Sequence, residues 1–117
     1  MAHLMLEDST ITSLETSNAV RVTGYGGPVE NHTVEAKVTD ADASVTALSI
    51  SLLGSLDGSN FYTLDTHSFS AGELSALGAM FHVVNKPVKY VKVQVASHTG
   101  AAAGDTVTIR YEPKLGG

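Results

Sequence analysis

The strongest constraint on this chain is a short-range alternation of apolar and polar residues. In residues 32–39, Val34, Ala36 and Val38 share one parity, while Thr33, Glu35, Lys37 and Thr39 take the other. In residues 90–96, Val91, Val93 and Val95 alternate with Tyr90, Lys92 and Gln94. Successive side chains of an extended chain point to opposite faces, so each run reads as a strand with one buried and one wet face. Thirteen Val, twelve Thr and three Ile supply the β-branched side chains that a pleated surface favours.

The same pattern extends the strand set. Residues 18–23 alternate Val20 and Val22 with Arg21 and Thr23, then stop at Gly24-Tyr25-Gly26-Gly27-Pro28, where three glycines and a proline break a ladder. Residues 45–56 form the longest run, with Leu48, Ile50, Leu52 and Leu56 on one parity and Leu53 on the polar face, as a surface residue or at a bulge near Gly54. Asp57-Gly58-Ser59-Asn60 is a turn signal, and residues 61–64 read as the hairpin partner. Residues 40–44 form a turn, residues 80–84 and 106–111 two more strands, and residues 99–105 a hairpin loop. Ser70 and Glu73 have the spacing of a capping box, which predicts a helix of about two turns through Leu74 and Leu77.

Seven to eight short strands with regular turn signals predict one antiparallel β-sandwich, jelly-roll or Ig-like, over residues 18–117. A small β-barrel is the alternative architecture, because strand spacing does not separate the two. Residues 1–17 are less regular and suit an N-terminal arm or an edge strand. The opening Met-Ala-His-Leu-Met-Leu-Glu-Asp lacks the basic start of a secretory signal. No run approaches the ~20 apolar residues of a membrane helix, so no membrane partner is expected.

The chemistry is sparse. Without cysteine there is no disulfide, thiolate metal site or cysteine nucleophile. His3, His32, His67, His82 and His98 are scattered without HxH or HxxxH spacing, which leaves no metal motif and places His32 and His82 on strand surfaces and the other three in solvated loops. No serine stands in a GxSxG elbow. Asp40 with Asp42, or Asp57 with Asp65, could be proposed as paired carboxylates, yet Asp40, Asp42 and Asp57 suit turns better. No catalytic residue and no cofactor is therefore assigned. A net charge of −5 argues against a nucleic-acid partner. That charge is uneven, −8 over residues 1–73 and +3 over residues 74–117, with Lys86, Lys89 and Lys92 recurring every third residue beside Tyr90.

The segment Leu52-Leu53-Gly54-Ser55-Leu56-Asp57-Gly58-Ser59-Asn60-Phe61-Tyr62-Thr63-Leu64 resembles a hairpin of small structural proteins of tailed bacteriophages. Lys86-Pro87-Val88-Lys89-Tyr90-Val91-Lys92-Val93 and Gly104-Asp105-Thr106-Val107-Thr108 extend the likeness over roughly residues 45–112. The turn element alone also occurs in discoidin-like and other carbohydrate-binding sandwiches. The resemblance implies a non-enzymatic virion protein made in the host cytoplasm, decorating a capsid or joining a tail as a homo-oligomer. Gly54, Asp57, Gly58, Phe61 and Leu64 would carry the turn and its core anchor, and Leu53, Lys89, Tyr90 and Lys92 possible subunit contacts. A carbohydrate-binding module is the alternative, with Tyr25, Tyr62 and Tyr90 as candidate sugar platforms in a chain that lacks Trp.

Overall fold

A computed structural model describes residues 3–22, 27–40 and 45–114. Among these residues, eight strands run in the order β1 (His3–Thr10), β2 (Val20–Arg21), β3 (His32–Asp40), β4 (Ala47–Ser55), β5 (Tyr62–Ser68), β6 (Gly78–Val83), β7 (Tyr90–Thr99) and β8 (Thr106–Pro113). One short helix, α1 (Ala71–Ala76), stands between β5 and β6, and a single 3-10 turn, Ile11–Ser13, follows β1. The strands form two four-stranded antiparallel sheets, ordered β1-β8-β3-β6 and β2-β7-β4-β5. The molecule is thus an open two-sheet sandwich and not a closed barrel.

The alternation in the sequence is what the sandwich buries. Val34, Ala36 and Val38 of β3, Phe81 and Val83 of β6, and Val107, Ile109 and Tyr111 of β8 face inward from one sheet. Leu48, Ile50 and Leu52 of β4 and Val91, Val93 and Val95 of β7 meet them from the other. Burying one such side chain contributes roughly 1.5–3 kcal/mol, so these rows dominate the favourable side of folding.

Several local expectations are met and others shift. The predicted capping box is present: Ser70 Oγ accepts from Glu73 N, and Glu73 Oε1 accepts from Ser70 N at 2.8 Å. Residues 3–10 are a strand, β1, paired with β8 at the edge of its sheet. Two register shifts and a positive φ of 44° at Asp8 interrupt its alternation, which is why the pattern was illegible. β4 ends at Ser55, so Leu56 leaves the core parity and stands 62% exposed. Leu53 keeps the outer parity, half-buried and paired with Thr63 and Lys92, and the bulge opposite Leu52 and Leu53 lies in β5. The expected breaks at residues 24–26 and 41–44 lie outside the described residues, as do Tyr25 and Asp42.

Candidate functional site

The β4–β5 turn closes one end of the sandwich, and a single carboxylate organises it. Asp57 Oδ1 accepts from the backbone N–H of Ser59 and of Asn60, each at 2.9 Å, and from Ser55 Oγ at 2.9 Å. Its Oδ2 accepts from Asn60 Nδ2 at 2.7 Å. These donors, the Asn60 N–H foremost, hold the Asp57 carboxyl well below the usual carboxylate range. The turn needs Gly58 at φ +80°, and a Cβ added there would stand 3.3 Å from the Tyr90 ring. Asp57 is thereby committed to the turn. Asp65 is not paired with it for acid–base work, because Asp65 stands exposed on β5 and accepts from its own neighbour's N–H, Thr66.

Beside this turn lies a cleft of about 370 Å³. Its floor is apolar and tight. A Cβ added to Gly54 would fall 2.6 Å from Val88 Cγ1 and 2.7 Å from Leu64 Cδ1. Its rim is the exposed trio Leu56, Tyr62 and Pro87, with Asp57 and Asn60 on the turn side. Tyr62 is 70% exposed. The wall carrying Pro87 and Val88 is fixed through its backbone: Val88 and Val29 exchange both hydrogen bonds, at 3.0 and 2.9 Å. A groove of similar size, about 380 Å³, runs along the opposite sheet beside Glu35, Lys37, Leu77 and Met80, and no aromatic ring lines it.

The other residues singled out in the sequence divide between two faces. Leu64 packs against the core, whereas Phe61 lies on the outer face of the sheet, with Lys92 Nζ 4.3 Å over its ring. Leu53 pairs with Lys92 and Ser55 with Tyr90, so Leu53, Tyr90 and Lys92 share that outer face. Lys89 sits at the bend before β7. Among the described residues, no three His, Asp or Glu side chains converge as a metal site.

Four histidines are placed differently from their expected surface and loop positions. His32 is 2% exposed, in the core rather than on the strand surface. Its Nε2 lies 2.9 Å from the Lys86 carbonyl, which can only accept, so Nε2 carries the proton and Nδ1 accepts from the Tyr111 hydroxyl. Burial pushes the His32 pKa down and the Tyr111 pKa up. The signal was available: His32 shares the parity of Val34, Ala36 and Val38. His67 is on β5 and not in a loop; it stacks on Phe81 with ring centroids 5.0 Å apart and donates to Glu73 at 2.9 Å. His98 and His3 likewise belong to strands, β7 and β1.

No family model matches the sequence, and no curated protein is similar to it in sequence. Solved structures do match in fold. A CBM32 module of a family 31 glycoside hydrolase from Clostridium perfringens aligns at TM-score 0.53 and 8% identity, covering 97% of this chain and 88% of the module. The SPBc2 prophage-derived protein YomS aligns at TM-score 0.55 and 16% identity, over 95% and 88% of the two chains, and its name states an origin without a role. The C-terminal domain of a chitobiase from Bacteroides fragilis aligns at TM-score 0.50 and 11% identity over 78% of this chain, which spans only 58% of that domain. At such identities the likeness shows a common fold. It also corrects the bacteriophage reading. The neighbours whose names state an activity are modules and domains of glycosidases, so the likeness of the Leu52–Leu64 segment carries no virion identity. The virion location and the capsid or tail partners fall with it.

Proposed function

We propose that this chain is a non-catalytic carbohydrate-binding sandwich whose ligand seat is the cleft beside the β4–β5 turn. The observation that carries the reading is Tyr62, an aromatic ring 70% exposed at the rim of an apolar-floored cleft. A sugar ring presents C–H groups on one face and hydroxyls at its edge, so it stacks on an aromatic plane while neighbouring polar groups orient it. Asn60 supplies an amide at that edge, steadied by its bond to Asp57. The fold neighbours support the reading, since CBM32 modules from Clostridium perfringens glycosidases share this architecture at TM-scores of 0.53 and 0.51.

A glycan array followed by calorimetry tests the proposal. Tyr62→Ala is expected to weaken binding by about tenfold or more, with a nearly unchanged melting temperature because the ring is 70% exposed. Absence of any ligand on the array, or full affinity in the variant, would refute the seat proposed here.

A further inference from the structure

Lys86 and Lys89 flank the Pro87–Val88 wall in sequence, but neither lines the cleft beside the β4–β5 turn. Only their backbones serve it. The Lys86 carbonyl accepts from the buried His32 ring at 2.9 Å, and Lys89 N–H donates to the Ser55 carbonyl at 2.9 Å, so the segment is a fixed mount for the wall. Among the described residues that line the cleft, Asp57 is then the one charged side chain, and it is exposed, as Asn60 and Tyr62 are. The turn donors that hold its carboxyl low keep it ionised well below neutral pH.

Few polar side-chain groups at the cleft remain open. Ser55 Oγ donates to Asp57 and accepts from the N–H groups of Asp57 and Gly58, which exhausts it. Asp57 Oδ1 takes three donors, whereas Oδ2 takes Asn60 Nδ2 alone and keeps room for a second. The Asn60 side-chain carbonyl and its second amide hydrogen make no hydrogen bond among the described residues. Asp57 Oδ2 and Asn60 Nδ2, 2.7 Å apart, therefore present an acceptor beside a donor. A sugar hydroxyl is both donor and acceptor, and it matches that pair. A carboxylate or sulfate has no proton to give Oδ2 and meets a like charge. Two such charges about 6 Å apart in a largely aqueous setting repel enough for about a threefold change in affinity.

We infer that Asp57 sets the charge preference of the cleft: with Asn60 it takes the hydroxyl edge of an uncharged sugar, and it rejects glycans whose carboxylate or sulfate would stand at that edge. This rests on the carbohydrate-binding reading and adds the ligand's charge to it. Asp57 thereby has two roles, holding the turn through Oδ1 and reading the ligand through Oδ2.

The test compares three probes of equal length by calorimetry: a galactose oligomer, a galacturonate oligomer and the methyl ester of that galacturonate oligomer, which removes its charge. The full chain is measured in 50 mM and 500 mM NaCl (about 14 Å and about 4 Å of screening length). At low salt the ester should bind roughly threefold or more tightly than the free acid, and high salt should narrow the gap. Asp57→Asn keeps an oxygen for the turn N–H groups and removes the charge, so it should close the gap between acid and ester. Its melting temperature reports whether the turn survives, and the salt series on the parent chain decides the matter where it does not. Asn60→Ala should weaken the neutral probes about threefold or more. Equal affinity for acid and ester, a gap that high salt leaves untouched, a gap that persists in a folded Asp57→Asn variant, or acidic glycans as the strongest hits on an array each overturns the inference while the carbohydrate reading stands. An array blank for every glycan overturns both.

Discussion

At the floor of the cleft Gly54, Leu64 and Val88 pack so closely that one added carbon would collide. At the rim, by contrast, Leu56, Tyr62 and Pro87 stand exposed beside the turn. Beneath the floor, His32 ties the Lys86 carbonyl to Tyr111, so even the polar groups are consumed internally. The two regions are separated by only one or two residues in sequence: Gly54 from Leu56, Val88 from Pro87. Packing is concentrated at the floor, and under the proposed function the rim does the recognising. The rim side chains can change without disturbing the mount, which is how a stable sandwich can be refitted to different ligands.

The comparison is broken most severely by removing the group that holds the mount. His32→Ala deletes a buried ring, leaves the Tyr111 hydroxyl and the Lys86 carbonyl without their partner and opens a cavity among β3, β6 and β8. The expected loss is about 3 kcal/mol, on the order of 10 °C in Tm for a domain of this size. Chemical denaturation and a thermal melt check it. A melt within a degree or two of the parent would mean that the imidazole is dispensable and that the floor is softer than its hydrogen bonds imply.

Gly54→Ala comes next. The added methyl must displace Val88 Cγ1 and Leu64 Cδ1, both side-chain atoms with some freedom to move, so the cost is about 1–2 kcal/mol and not a failure to fold. Because Val88 is also cleft wall, affinity for the glycan should fall in step with stability, a coupling that Tyr62→Ala lacks. Stability loss with intact binding would separate floor from seat.

How much of this was readable from the sequence follows the same division. β3 and β7 announced themselves by strict alternation, Ser70 and Glu73 by spacing, and the β4–β5 turn by Asp57-Gly58; each is a local signal, and each is where expected. The pairing order β1-β8-β3-β6 was not legible, since it joins residues as distant as Leu4 and Arg110, and nothing local encodes that meeting. Tyr62 could be named as an exposed ring. Its partnership with Leu56 and Pro87 could not, because it depends on β4 ending one residue before Leu56 and on the Val29–Val88 bridge bringing the wall across. Phe61 was expected as a core anchor, and the bulge at Leu52/Leu53 moves the register of β5 so that Leu64, not Phe61, meets the interior.

Acidification offers a smaller and more selective perturbation, because a protonated His32 keeps its volume and its Nε2–H bond to Lys86. Burial lowers the folded His32 pKa below its ordinary 6.5, so the unfolded chain binds the proton more readily. This contribution to stability is complete above pH 6.5 and is lost as pH falls from there toward the lower folded value. Glu73 and Asp57 are also depressed, Glu73 first by the Ser70 N–H and then by His67, but their unfolded values are 4.5 and 3.8. Their stabilisation begins to fade only as pH drops through that lower range. Between pH 6.5 and about pH 5 the slope contributed by these shifted groups therefore belongs to His32. His32→Gln should flatten that part of a pH series of denaturation midpoints while leaving the decline near pH 4 in place. Persistence of the upper slope in His32→Gln would transfer it to another group and free the mount of the cleft from pH control.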